Sequence, residues 1–182
     1  MPNSELQNKV VIVTGAAGGI GQVISREFSH AGATVVLASR NEGALHETEK
    51  NLADGSTLSI QTDITKPDSV ENLINATVSE FGHIDVMINN AGGGVRPCEP
   101  EDTAYDDWVR MIDINLTGTF NCCMAAGKQM IKQCFGKIIN ISSTAGTKGN
   151  PGLLHYSAAK AGILSLSSNL AYSWAKIPFN IS

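Results

Sequence analysis

Two side chains toward the end of the sequence are set apart by what they could do together. Tyr156 and Lys160 stand four residues apart in an apolar stripe of Tyr156, Ala159, Ile163, Leu164, Leu170, Ala171 and Trp174, and an i, i+4 pair projects from one side of a helix. A lysine alone on such a face usually lays its stem on the core, and a tyrosine alone packs. Held together near the core they offer more, because a cation beside a phenol favours the phenolate and draws the phenol toward the range of a general acid/base. The pair reads as a proton donor and its tuner.

A second chemical signal lies near the beginning. Thr14 to Gly21 reads Thr-Gly-Ala-Ala-Gly-Gly-Ile-Gly, after the apolar run Val10 to Val13 and before Ile20, Val23, Ile24 and Phe28, which are spaced as one helix face. Glycines at a strand-to-helix turn leave room for an anion to approach backbone N–H groups and the positive end of the helix dipole. A pyrophosphate is the favoured guest.

A dinucleotide would place its adenosine ribose at the end of the second strand, where an acidic side chain accepts from the 2′-OH and repels a 2′-phosphate. Here Ser39 and Arg40 stand instead. A hydroxyl and a guanidinium suit a phosphate, so NADP(H) is preferred and NAD(H) remains possible. The competing reading is a surface arginine opening a helix that Ser39 caps.

A carbonyl being reduced gathers charge on its oxygen and needs donors placed in advance. Ile139-Asn140-Ile141-Ser142-Ser143 ends an apolar stretch and delivers a hydroxyl, from Ser143 or Ser142. Asn115 is the other oddity: it lies on the inward face marked by Trp108, Met111, Ile112 and Thr119, where an amide has hydrogen bonds to satisfy. The competing reading is a buried structural amide at a helix kink.

The elements that must position these groups alternate along the whole chain. Strand patterns fall at Val10–Val13, Thr34–Ala38, Leu58–Gln61, Asp85–Ile88 and Lys137–Ile141. Helices are expected at about Asn41–Leu52, from Pro67 to Gly82, at Tyr105–Cys134 and at His155–Lys176. Such alternation predicts an α/β fold, a doubly wound parallel sheet of Rossmann type in three layers, with ligands beyond the carboxyl ends of the strands. At 182 residues and 42% hydrophobic content, one domain spanning 1–182 is expected.

Taken as a set, the G-x-x-x-G-x-G turn, Asn89-Asn90-Ala91-Gly92, Asn115, Ser143 and Tyr156-x-x-x-Lys160 resemble the classical short-chain dehydrogenase/reductase family. That resemblance implies pro-S hydride transfer between a nicotinamide and a carbonyl or secondary alcohol, with a 3-oxoacyl thioester among the candidates. It implies Asn115, Ser143, Tyr156 and Lys160 as the catalytic set. In it Tyr156 passes the proton, Ser143 bonds the substrate oxygen, and Asn115 helps hold a water behind the lysine. Cofactor contacts are implied at Gly15, Gly18, Gly19, Ile20, Gly21, Ser39, Arg40, Asp63, Ile64, Asn90, Ala91, Gly92, Tyr156 and Lys160. Asp63 would meet the adenine ring, although Asp-Ile-Thr before Pro67 is also an ordinary turn into a helix. The family implies a homotetramer or dimer through the two long helices, where Cys122, Cys123, Ala125 and Ala126 are small enough for close contact.

Composition removes several function classes. A formal charge of −4 without a dense basic run gives no footprint for nucleic acid or an anionic membrane surface. No signal-peptide core opens the chain and no apolar run approaches the roughly 20 residues of a span, so a soluble, cytoplasmic protein is expected. Cys98, Cys122, Cys123 and Cys134 lack metal-ligand spacing and read as reduced, packed thiols, with no metal site. Relatives continue past Pro178-Phe179-Asn180-Ile181-Ser182, the expected start of a sixth strand, into a substrate lid and a seventh strand. A truncated, non-catalytic nucleotide-binding or partner-binding member is therefore the alternative.

Overall fold

The computed structural model describes residues 6–53, 57–94, 96–176 and 180–182. Among these, six strands form one parallel sheet: β1 (Val10–Thr14), β2 (Thr34–Ser39), β3 (Thr57–Gln61), β4 (Val86–Asn89), β5 (Lys137–Asn140) and β6 (Asn180–Ile181), in the order β3-β2-β1-β4-β5-β6. Pro178 and Phe179, also expected in the last strand, lie outside the described residues.

The unbroken apolar run of β1 follows from burial on both faces. Val10 and Ile12 join a core with Val36, Leu73, Met87, Cys122, Met130 and Ile138, under α3 (Pro67–Phe81), α5 (Gly118–Gln133) and α6 (Leu154–Ser173). Val11 and Val13 point the other way, to Val35, Leu37, Leu45 and Ile88 under α1 (Gly19–His30) and α2 (Glu42–Glu49). Three layers result, with α4 (Tyr105–Ile112) running into α5 through one π-helical turn, Asp113–Thr117.

Local chemistry sets the helix ends. Pro67 opens α3 with Asp68 in the first turn, and Gly82, at φ 82°, closes it in the left-handed conformation. Asn41 caps α2 by accepting from the Ala44 amide at 3.1 Å. The capping role considered for Ser39 thus belongs to Asn41.

Three expectations about the helices are corrected. The single helix Tyr105–Cys134 is two helices, because the Asn115 amide turns into the ladder and donates to the Met111 carbonyl at 3.1 Å, and the π turn accommodates it. On α1 the buried face is Gly21 and Ser25 with half-buried Ile24 and Phe28, while Ile20 and Val23 are exposed. The helix is rolled so that Gly21 lies on the Gly15 carbonyl, where a Cβ would collide. Leu164 is likewise exposed on α6.

The thiols divide. Cys122, Cys123 and Ala126 are fully buried in the chain's own core with Ala125 packed against it, so their close helix contact is internal. Burial pushes the Cys123 thiol up to about 11 and Cys122 higher still, which keeps both neutral. Cys134 is exposed, against expectation, at a left-handed residue ending α5. No helix among the described residues is long and apolar enough to cross a membrane.

Candidate active site

In this strand order the crossovers from β1 and β4 run in opposite directions, which opens a crevice beyond their carboxyl ends. Two turns meet there. Thr14, the last residue of β1, accepts from the Asn90 and Ala91 amides at 3.1 Å each, and its hydroxyl donates to the Ile88 carbonyl at 3.2 Å. Asn90 answers by donating to the Thr14 and Gly15 carbonyls at 3.0 and 3.4 Å. The glycine turn after β1 and the Asn-Asn-Ala-Gly loop after β4 are therefore one knotted unit. Gly15, at φ 68°, fits because it has no Cβ, which would stand 2.9 Å from the Ala91 Cα.

Two cavities open from this knot and share Gly15, Ala91 and Gly92. The first, about 190 Å³, is lined by Ala38, Ser39, Arg40, Thr62, Asp63, Ile64, Thr65 and Ile114. Asp63 serves both the turn and the cavity wall. It makes the turn, accepting from the Thr65 amide and hydroxyl at 3.0 and 2.8 Å, and it lines the cavity. Burial pulls its carboxyl up, but the Thr65 hydrogen bonds, with Arg40 and Lys66, hold it below the usual range.

The second cavity, about 530 Å³, is lined by Gly18, Ile20, Asn90, Gly93, Ile141, Ser142, Ser143, Tyr156 and Lys160. Lys160 is 4% exposed, and its ammonium donates to the Ile141 carbonyl at 2.8 Å, 5.7 Å from the centre of the Tyr156 ring. Burial lowers its pKa from the ordinary lysine value. The two serines separate. Ser142 donates its proton inward to the Lys160 carbonyl at 2.9 Å, whereas Ser143 accepts from the Ala145 amide at 3.2 Å and keeps its own proton to give.

Three of the expected residues stand behind the cavities. Gly19 shapes the turn at φ 49°, Gly21 lies beneath Gly15, and Asn115 is wholly buried. Asn115 clamps Gly93 on both sides, accepting from its amide at 2.8 Å and donating to its carbonyl at 3.1 Å. A Cβ on Gly92 would fall 2.7 Å from the Asn115 oxygen and 3.5 Å from the Lys160 ammonium. Only a glycine separates the two.

Sequence reasoning passed over Thr14 as a tie, Ile141 as the lysine's acceptor, and Ile114 in the first cavity. For Thr14 a signal existed, since a hydroxyl ending a buried strand must find partners. Ile141 acts through its backbone and left no trace in residue type.

The knotted turns, with cavities on both sides of a glycine cradle, suit an elongated two-part ligand that carries a pyrophosphate at its middle. A family model for short chain dehydrogenases matches residues 9–181. The chain belongs to the short-chain dehydrogenase family. Its relatives in this family include the 3-oxoacyl-[acyl-carrier-protein] reductase of Synechocystis sp., 39% identical over 91% of this chain and 68% of that protein. The corresponding reductase of Chlamydia muridarum is 40% identical over 93% of this chain and 69% of its own. Among solved structures, NAD+-bound xylitol dehydrogenase superposes with a TM-score of 0.93 at 34% identity, covering 97% of this chain and 68% of that one. As a short-chain dehydrogenase the protein is an oxidoreductase of small molecules that draws on NAD(H) or NADP(H). No group of three or more metal-ligating side chains is gathered among the described residues.

Proposed function

We propose that the chain is an NADP(H)-dependent carbonyl reductase in which Tyr156 is the general acid/base, with a 3-oxoacyl thioester as its substrate class. The observation that carries this is the shared lining. Tyr156, Lys160 and Ser143 open onto a cavity that joins, through Gly15, Ala91 and Gly92, the one lined by Ser39 and Arg40. Two relatives with reductase names at about this level of identity support the direction and the substrate class.

Gly15, Gly18 and Ile20 would hold the pyrophosphate side of the cofactor, Asp63 and Ile64 the adenine side, and Asn90, Ala91 and Gly92 its middle. When bound, the nicotinamide supplies the hydride that becomes the new C–H bond. The chain supplies the rest. Ser143 and Tyr156 orient the carbonyl oxygen by hydrogen bonds, and as the C=O π bond breaks the Tyr156 hydroxyl proton passes to that oxygen, giving the alcohol. Lys160, an ammonium beside the ring, stabilises the phenolate left behind, and Asn115 keeps the Gly92–Gly93 backbone in place next to it. Ser142 is spoken for by the Lys160 carbonyl, which favours Ser143 as the substrate's donor.

A spectrophotometric assay of NADPH and NADH oxidation with a 3-oxoacyl thioester tests the reading. Tyr156→Phe is expected to lower kcat by roughly 10²–10⁴-fold while NADPH affinity, read by fluorescence, stays within a few-fold. Arg40→Ala is expected to weaken NADPH by roughly tenfold or more, the worth of a hydrogen bond to a charged group, and to leave NADH unchanged. Equal losses for both cofactors would remove the NADP(H) preference. Tight cofactor binding without turnover of any carbonyl or alcohol would favour a binding role instead.

A further inference from the structure

The end of β5 does something to Lys160 that the proposed reaction scheme does not use. Three features within residues 141–146 touch the same lysine. The Ile141 carbonyl receives its ammonium at 2.8 Å, and the Ser142 hydroxyl donates to its backbone carbonyl at 2.9 Å. Gly146, in the short turn Thr144–Gly146, lies so close to the α6 backbone that a Cβ there would sit 2.7 Å from the Lys160 carbonyl carbon. One strand end thus grips both ends of the lysine, its peptide and its ammonium, and the turn that follows backs up the peptide.

A long flexible side chain delivers its charge to a fixed point only if both its root and its tip are held. We infer that residues 141–146 form a cradle that sets the lysine beside Tyr156, and that Ser142 is its positioning residue, acting through the Lys160 backbone rather than on substrate. Ser143 lies inside the same segment, so the cradle also fixes the distance between the substrate's hydroxyl donor and the lysine. The assignment rests on the reading of Lys160 as part of the reaction machinery.

A comparison lies nearby. Ser167 is a second tie between β5 and α6: it accepts from the Asn140 side-chain nitrogen at 2.8 Å and donates to the Ile163 carbonyl at 2.9 Å, and neither bond is to Lys160. A merely structural role for Ser142 would make Ser142→Ala and Ser167→Ala behave alike.

The test measures four proteins, wild type, Ser142→Ala, Ser142→Thr and Ser167→Ala, in two ways. The first is the pH midpoint for acylation of Lys160 by an amine-reactive probe, read by mass spectrometry without cofactor. The second is the pH profile of kcat with NADPH and a 3-oxoacyl thioester. Ser142→Ala is expected to move the labelling midpoint up toward that of an ordinary lysine and to lower kcat by roughly 5–20-fold with KM nearly unchanged. Ser142→Thr should restore both, and Ser167→Ala should lower the melting temperature without moving either. Identical midpoints and profiles in all four proteins would overturn the inference, as would Ser167→Ala reproducing the effect of Ser142→Ala. A displaced midpoint in a wild-type background that transfers no hydride would leave the cradle standing and overturn the functional reading instead.

Discussion

In the proposed reaction, Lys160 sets function against stability within one residue. Its ammonium is taken out of water and offered one carbonyl, so burial lowers its pKa below the unfolded value near 10.5. Between the two values the unfolded chain binds more protons, so this group's contribution is present above the ordinary lysine pKa and is lost as pH falls through the lowered one. At neutral pH the charged lysine is therefore a net cost to folding. Lys160→Met, close in volume and without charge, is expected to melt at a higher temperature than wild type at pH 7. The gap should narrow as the pH approaches 10. Thermal melts at both pH values check the sign, and kcat of the same variant should be depressed, since stabilising a site residue removes what the site is for.

At the scale of elements, the π turn between α4 and α5 is the feature that places Asn115. One amide there satisfies both polar groups of Gly93 and one of Met111. Asn115→Ala leaves the buried Met111 carbonyl and the half-buried Gly93 groups without this partner, and a loss of about 1–3 kcal/mol in all is expected, read as a lower urea midpoint. The π turn should relax toward a regular helix, and Lys160 would lose the wall behind Gly92. Activity should fall further than the stability loss accounts for under conditions where the variant stays folded.

This element also marks how far the sequence could be read. Asn115 was visible as an amide on an apolar face, but one extra residue only turns a spacing of three into four, which an apolar rhythm of threes and fours absorbs, so one long helix was the natural expectation. The strands and their order of appearance were legible because Val10–Val13 and Thr34–Ala38 are apolar throughout, as strands buried on both faces must be. The roll of α1 was not legible. Ile20 and Val23 obey the helical rhythm, yet the contact of Gly21 on Gly15 rotates them outward, and a backbone contact of that kind is invisible in side-chain hydropathy. For the same reason Tyr156, Lys160 and the glycine turn could be picked out by side-chain type and spacing, while the Ile141 carbonyl could not.

For the molecule as a whole, the sheet is fastened at the edge opposite the crevice by Asp85, which is 8% exposed. Its carboxylate accepts from Lys9 and from the Val10 amide at 2.9 Å each and meets His83 at 2.9 Å. Its backbone bonds Val10 and Lys137, the first residues of β1 and β5. Asp85→Ala leaves a buried amide and two basic groups without their acceptor, and a loss of about 1–3 kcal/mol is expected in urea unfolding. NADPH affinity and kcat of the folded variant should stay near wild type, because the site lies at the other ends of the strands. A parallel loss of cofactor binding would mean that the two edges are coupled through β1 and β4.

The strand order has a further consequence during synthesis on the ribosome. β1 is flanked by β2 and β4, and the register pairs Val11 with Val86, 75 positions further along the chain. At 5–20 residues per second, one edge of Val10–Val13 waits roughly 4–15 s for its neighbour. Through that interval the nascent chain presents an apolar strand with a bare hydrogen-bonding edge, the geometry that recruits a neighbouring chain or a holdase. Yield in a living cell should therefore depend on translation speed across residues 15–85 and on chaperone supply, independently of how stable the finished sheet is.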